Sequence, residues 1–192
     1  MSTLWWIAAG YSALYLGFVA AERRNLTKVA PALLLACAVA SASPLGAAAL
    51  AFCALGDAFL LSKDRFFLHG LGAFLVGHAL FIPAFLQHAT APMSMPLVVG
   101  LVGVTGGVLA VLVPKLQGAL RIAVPIYALA LGSMVVAAGM LSPLACAGAV
   151  IFVVSDSVLS ITRFVRDFRG SELVVMSTYY GAILTLSAAL TS

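Results

Sequence analysis

Eight apolar runs, separated in turn by basic and by uncharged connections, restrict the fold of this chain more than any other feature. The runs lie near residues 4–21, 29–43, 45–61, 66–87, 96–113, 122–141, 143–161 and 173–190. Crossing a bilayer as a helix takes roughly 17–25 apolar residues, so each run reads as a transmembrane helix. All ten Lys and Arg residues fall in four connections, 22–28, 62–65, 114–121 and 163–172, whereas those around 41–46, 88–96 and 141–144 carry none. Short basic loops are retained on the cytoplasmic side, and one helix more or fewer would break the alternation. The expected fold is therefore all-α: a polytopic membrane helix bundle of eight transmembrane helices, one domain over residues 1–192, with both termini outside. The first run has no basic segment before it and is followed by Arg23, Arg24 and Lys28. That is the wrong flank for a cleaved signal peptide, and the run is read as the first span.

Composition agrees, with 64% hydrophobic and 8% charged residues against about 25% charged in a soluble domain. The net charge of +4 comes from loop residues that orient the chain and meet anionic headgroups, so no nucleic-acid partner is implied. Cys37, Cys53 and Cys146 stand singly in apolar segments and read as packing residues. No HxxxH or CxxC pattern supplies a metal site, and GVTGGVLA (103–110) is a small-residue helix face, not a phosphate loop. No cofactor is expected. The pairs Ala73/Gly77 and Gly103/Gly107 suit close helix approach in lipid.

Two carboxylates interrupt this pattern. Asp57 in FCALGDAFLLSKDRF and Asp156 in AGAVIFVVSDSVLSITRF sit inside otherwise apolar spans. An intramembrane acid costs roughly 2.5–3.5 kcal/mol on insertion scales and usually faces the bundle interior or a wet cavity. Asp57 lies five residues before Ser62 and Asp156 six before Thr162, about 7–9 Å inside the cytoplasmic boundary at 1.5 Å per residue. GDAFLLSKDRF and SDSVLSITRF also echo one another, each closing the third span of a four-helix half. Two parallel halves related about the membrane normal would make the acids equivalent. Either the acids converge on one chemically active site, or each pairs separately and only fixes packing.

Other polar groups gather at similar depth. Ser155 and Ser157 flank Asp156, Tyr179 and Tyr180 lie early in the last span, and Tyr127 lies early in the sixth. The tyrosines fit either a headgroup pocket or an interfacial belt. In the fourth span His69 and His78 are nine residues apart, which puts them on nearly opposite faces of one helix. His78, near mid-membrane, is the candidate for an interior role, and His88 marks the outer boundary.

The segments LGDAFLL, GLGAFLVGHALF, RIAVPIYALALGSM, GAVIFVVSDSVLSITRF and TYYGAILTLSAAL, in this order over about residues 50–190, resemble the YhhN family, whose eukaryotic members are lysoplasmalogenases. The resemblance implies an eight-helix membrane hydrolase of the lysoplasmalogen vinyl ether bond, releasing a fatty aldehyde and glycerophospho-ethanolamine or -choline. It carries catalysis to Asp57 and Asp156 and a supporting role to His78, Tyr179 and Tyr180. A vinyl ether hydrolyses through protonation at carbon and an oxocarbenium ion, which calls for one protonated acid and one carboxylate, as in glycosidases. Asp57 as acid with Asp156 as base is one assignment, and the order stays open. A lysophospholipid would place its headgroup among Lys63, Arg65, Arg163 and Arg166, unless these only orient the chain, with its hydrocarbon along the bundle. The competing readings are a small proton-coupled transporter and a lipid-binding protein without turnover. The compact, Ala-rich sequence is expected in a bacterial inner membrane, with the site toward the cytoplasmic face.

Overall fold

A computed structural model describes residues 2–20, 26–62 and 65–192. Arg23, Arg24 and Lys63, three of the basic residues expected to orient the chain, lie outside the described residues. The described residues form eight α-helices in order: α1 (Thr3–Ala20), α2 (Ala30–Val39), α3 (Pro44–Leu60), α4 (Phe67–Leu86), α5 (Met95–Leu112), α6 (Leu120–Leu141), α7 (Pro143–Phe164) and α8 (Ser171–Thr191). Short 3₁₀ turns at Leu26–Val29 and Val113–Lys115 flank α2 and α5. Among the described residues five helices, α4 to α8, are long and apolar enough to cross a membrane, while α2 with its 3₁₀ turn and α3 are apolar but shorter. The chain is an all-helical integral membrane protein.

The elements begin where sequence chemistry favours it. Pro31, Pro44, Pro96 and Pro143 occupy the first turns of α2, α3, α5 and α7, where a missing N–H costs nothing. Ser43 and Ser142 cap α3 and α7, their hydroxyls accepting from the Gly46 and Ala145 amides at 3.1 Å in each case. The two caps open the same tripeptide, Ser43-Pro44-Leu45 and Ser142-Pro143-Leu144. In consequence Asp57 and Asp156 each stand at the fourteenth position of their helix, about 20 Å from its start. The far ends differ. The expected span at 143–161 runs on to Phe164, so Arg163 lies in the last helical turn and not in a connection.

Six helices close a ring in which α2 packs on α3, α3 on α4, α4 on α6, α6 on α7, α7 on α8 and α8 on α2. Outside it, α1 lies against α2 and α8, and α5 lies against α6 with a lighter touch on α7. Trp5 ties α1 to α8 by donating its indole N–H to the Leu184 carbonyl at 3.2 Å and to Ser187 Oγ at 3.0 Å. Buried Phe81, Phe85, Met134, Phe152, Ile183 and Leu186 fill the centre. In lipid, close packing and hydrogen bonding hold helices together, and small residues set how near they come. At Gly77 a Cβ would stand 3.1 Å from the Ala49 carbonyl oxygen and 3.2 Å from Cys53 Sγ, so α3 and α4 meet closely there. The companion expectation for Gly103 and Gly107 does not hold, because a Cβ at either meets nothing within 4 Å. Those glycines belong to α5, almost all of which faces outward.

Candidate active site

The end of the ring where α3 and α7 finish holds a 170 Å³ cavity lined by both Asp57 and Asp156. With them stand Lys28, Ser155, Arg163 and Tyr179, over an apolar wall that includes Phe67 and Phe74. Phe74, Phe152 and Tyr179 meet edge to face at 5.6–6.4 Å between centroids, an arrangement aromatic rings favour. This cluster joins α4, α7 and α8 beside the acids.

Asp57 is closed in, its side chain 2% exposed. Lys28 Nζ lies 3.2 Å from Oδ1 and the Tyr179 hydroxyl donates to Oδ2 at 2.7 Å. Each oxygen thus has its own donor, one of them a cation, an arrangement suited to a carboxylate. Lys28 is positioned in turn, since its carbonyl accepts from the Tyr180 hydroxyl at 3.0 Å. Tyr180 therefore works on the backbone of the 3₁₀ turn and is absent from the cavity wall.

Asp156 is more open, its side chain 12% exposed. The Tyr127 hydroxyl donates to Oδ2, and His78 Nε2 lies 3.5 Å from that same oxygen. His78 Nε2 is 2.8 Å from the Tyr127 oxygen. Because the single phenolic proton goes to Asp156, the imidazole N–H is inferred at Nε2, donating to Tyr127. Nδ1 is buried without a hydrogen-bond partner among the described residues, and the ring edge packs on Phe152 at 4.8 Å. Both polar contacts of Asp156 among the described residues thus fall on Oδ2, and none on Oδ1.

The remaining expected residues separate cleanly. Ser155 lines the cavity while its hydroxyl donates to the Val175 carbonyl at 3.1 Å, linking α7 to α8. Ser157 lines a different space, on the α5–α6 side of α7. Arg163 reaches the cavity with its guanidinium 4.8 Å from the Phe67 ring centre. Arg65 lies over Phe66 at 5.2 Å, is exposed, and is no part of the cavity wall. The face assignment for α4 holds, with His78 fully buried and His69 exposed.

Lys28 is the residue sequence reasoning missed, having been read only as an orienting charge. A signal for it existed. Lys28 and Asp57 are 29 residues apart, as are Tyr127 and Asp156, so the two acids draw a partner from the same register.

A model of the YhhN family matches residues 23–190. The chain is 35% identical to lysoplasmalogenase TMEM86A of Bos taurus, over 72% of this chain and 62% of that protein. It is 35% identical to lysoplasmalogenase TMEM86B of Rattus norvegicus, over 73% and 59%. Lysoplasmalogenase of Mycobacterium tuberculosis (strain CDC 1551 / Oshkosh) is 32% identical over 95% of this chain and 82% of that protein. The chain spans about three fifths of the length of the mammalian relatives it matches. No solved structure matches it.

Proposed function

The chain belongs to the YhhN family, and from that premise we propose that it hydrolyses the vinyl ether bond of a lysoplasmalogen, a lysophospholipid, to a fatty aldehyde and glycerophospho-ethanolamine or -choline. The observation that carries this reading is that Asp57 and Asp156 line one cavity with different partners. Asp156, with one oxygen free, acts as the acid and protonates the alkenyl carbon remote from the ether oxygen. The oxocarbenium ion so formed lies between two carboxylates, and Asp57, fixed by Lys28 and Tyr179, stabilises it without itself exchanging a proton. Water adds to the carbon bonded to oxygen and returns a proton to Asp156. The hemiacetal then collapses: its hydroxyl proton passes to the glycerol oxygen, the C–O bond breaks, and the aldehyde departs. This order of roles is the reverse of the assignment with Asp57 as acid.

Tyr127 and His78 are positioning residues, because they hold Oδ2 and leave Oδ1 toward the substrate. Arg163, at the mouth, is suited to the headgroup phosphate. We further propose that all eight helices span a bacterial inner membrane as two parallel halves, termini outside, so that the cavity opens to the cytoplasm. The paired packing of α3 on α4 and α7 on α8, with α1 and α5 both peripheral, supports the two-half arrangement.

The test is aldehyde release by the purified protein in detergent from vinyl-ether lysophosphatidylethanolamine, with the saturated alkyl-ether analogue as control. Release from the first and none from the second is expected, since only the vinyl ether can be protonated at carbon. A folded protein that cleaves neither, yet moves protons across liposomes, would replace this reading with the carrier.

A further inference from the structure

Asp156 lines more than the polar cavity. On the α5–α6 side of α7 it lines a 50 Å³ groove walled mainly by aliphatic side chains such as Val153, with Thr105, Tyr127, Gly132, Ser157 and Ser160, and it also lines a smaller 30 Å³ space shared with Phe67 and Phe74. The groove continues one turn deeper along α7, from Asp156 to Val153. Its outer wall is α5, the helix that packs most lightly in the second half and faces outward along nearly its whole length. On its wall, a Cβ on Gly132 would meet no atom within 4 Å.

We propose that this groove receives the first methylenes of the substrate's hydrocarbon chain, and that Gly132 keeps it open. The inference rests on the hydrolase reading above and adds the chain's location to it. A vinyl ether has a charged glycerophosphate on one side and a hydrocarbon on the other, so a group protonating it must stand at a boundary between wet and apolar space. Asp156 is in that position: Lys28 and Arg163 share the cavity on one side of it, and aliphatic residues line the groove on the other. The enclosed volume suits only a few methylenes, and the rest of the chain continues past α5 into the bilayer. A lysolipid can thus stay partly in the membrane while its reactive bond reaches the acid.

The test compares kcat/KM for vinyl-ether lysophosphatidylethanolamines with an eighteen-carbon alkenyl chain and with a two-carbon ethenyl group, which has no methylene to place in the groove, in the parent, Gly132→Leu and Gly106→Leu. Filling the groove at Gly132 displaces two or three methylenes, each worth about 4-fold. The expected result is a loss of about 10- to 50-fold on the long chain and under 3-fold on the short one. Gly106→Leu, on the exposed side of α5 with open space around it, should change neither. Equal losses on both chains, or no loss on either, overturn the proposal. A second measurement does not need turnover: a saturated alkyl-ether lysolipid bearing a diazirine near the ether is photolysed on the protein and the label is mapped. Label at Thr105, Ala128, Gly132 or Val153 supports the groove; label only outside the groove wall overturns it. Groove labelling by a protein that releases no aldehyde from any substrate would remove the hydrolase reading and leave the chain site. Aldehyde release with labelling elsewhere would do the reverse.

Discussion

Asp57 and Asp156 occupy the fourteenth position of helices that open with the same capped Ser-Pro-Leu, and each takes a partner from 29 residues earlier. The partners differ. For Asp57 it is Lys28, a cation, with Tyr179 on the other oxygen; for Asp156 it is Tyr127, backed by His78 on the same oxygen. One carboxylate is therefore saturated and nearly sealed, and the other is half-committed and open. Equivalent position fixes how deep an acid lies, whereas the residue opposite it fixes what the acid can do. A saturated carboxylate can stabilise a nearby cation but is poorly placed to carry a proton to carbon. The open one can.

The largest test of this contrast removes each acid in turn. Asp156→Asn should lower kcat/KM for aldehyde release by at least about 10³-fold, within the range for a general acid. Asp57→Asn, which removes a charge but no proton donor, should cost about 10²-fold. Equal losses would erase the distinction, and a larger loss for Asp57 would invert it. Thermal unfolding in detergent serves as the folding control for both.

Lys28→Met comes next. It strands Asp57 in a buried site, and breaking such a pair costs about 3–5 kcal/mol, to be seen as a marked fall in Tm. The double variant Lys28→Met/Asp57→Asn removes both charges and should recover most of that stability without recovering activity. Failure of the second change to rescue Tm would mean the pair is not coupled.

Smaller effects separate the two tyrosines. Tyr127→Phe removes the donor on Asp156 and should reduce kcat by about 10-fold, the value of one hydrogen bond to a charged group, with KM little changed. Tyr179→Phe leaves Lys28 on Asp57 and should cost less, about 3-fold, with a lower Tm. Arg65→Gln, against Phe66 and outside the cavity, should change kcat/KM by less than about 2-fold, as surface substitutions away from a site do. A tenfold loss there would extend the proposed headgroup site beyond the cavity wall to Arg65.

Much of this was legible from periodicity and charge. The helix ends at Ser43-Pro44 and Ser142-Pro143, the matched position of the acids along their helices and the buried face of α4 carrying His78 all follow from local chemistry and the helical repeat. The depth of Arg163 was misjudged because an amphipathic last turn looks like a loop to a hydropathy reading. Gly103 and Gly107 misled for a related reason: small-residue spacing marks a face that can pack closely, and α5 presents that face outward, where nothing packs on it. Lys28 was hidden because a basic residue in a connection already has an explanation in membrane orientation.

What the chain determined by itself was a set of apolar helices, their order, their caps and the placement of two acids at one depth, because each depends on interactions within a few turns. Which oxygen of which acid meets Lys28, Tyr179 or Tyr127, that Tyr180 grips the Lys28 carbonyl, and that Asp156 borders several spaces at once were decided by the way α4, α6 and α8 pack around α3 and α7. These contacts join residues from 29 to 152 positions apart, and side chains that distant acquire a common geometry only when the ring closes.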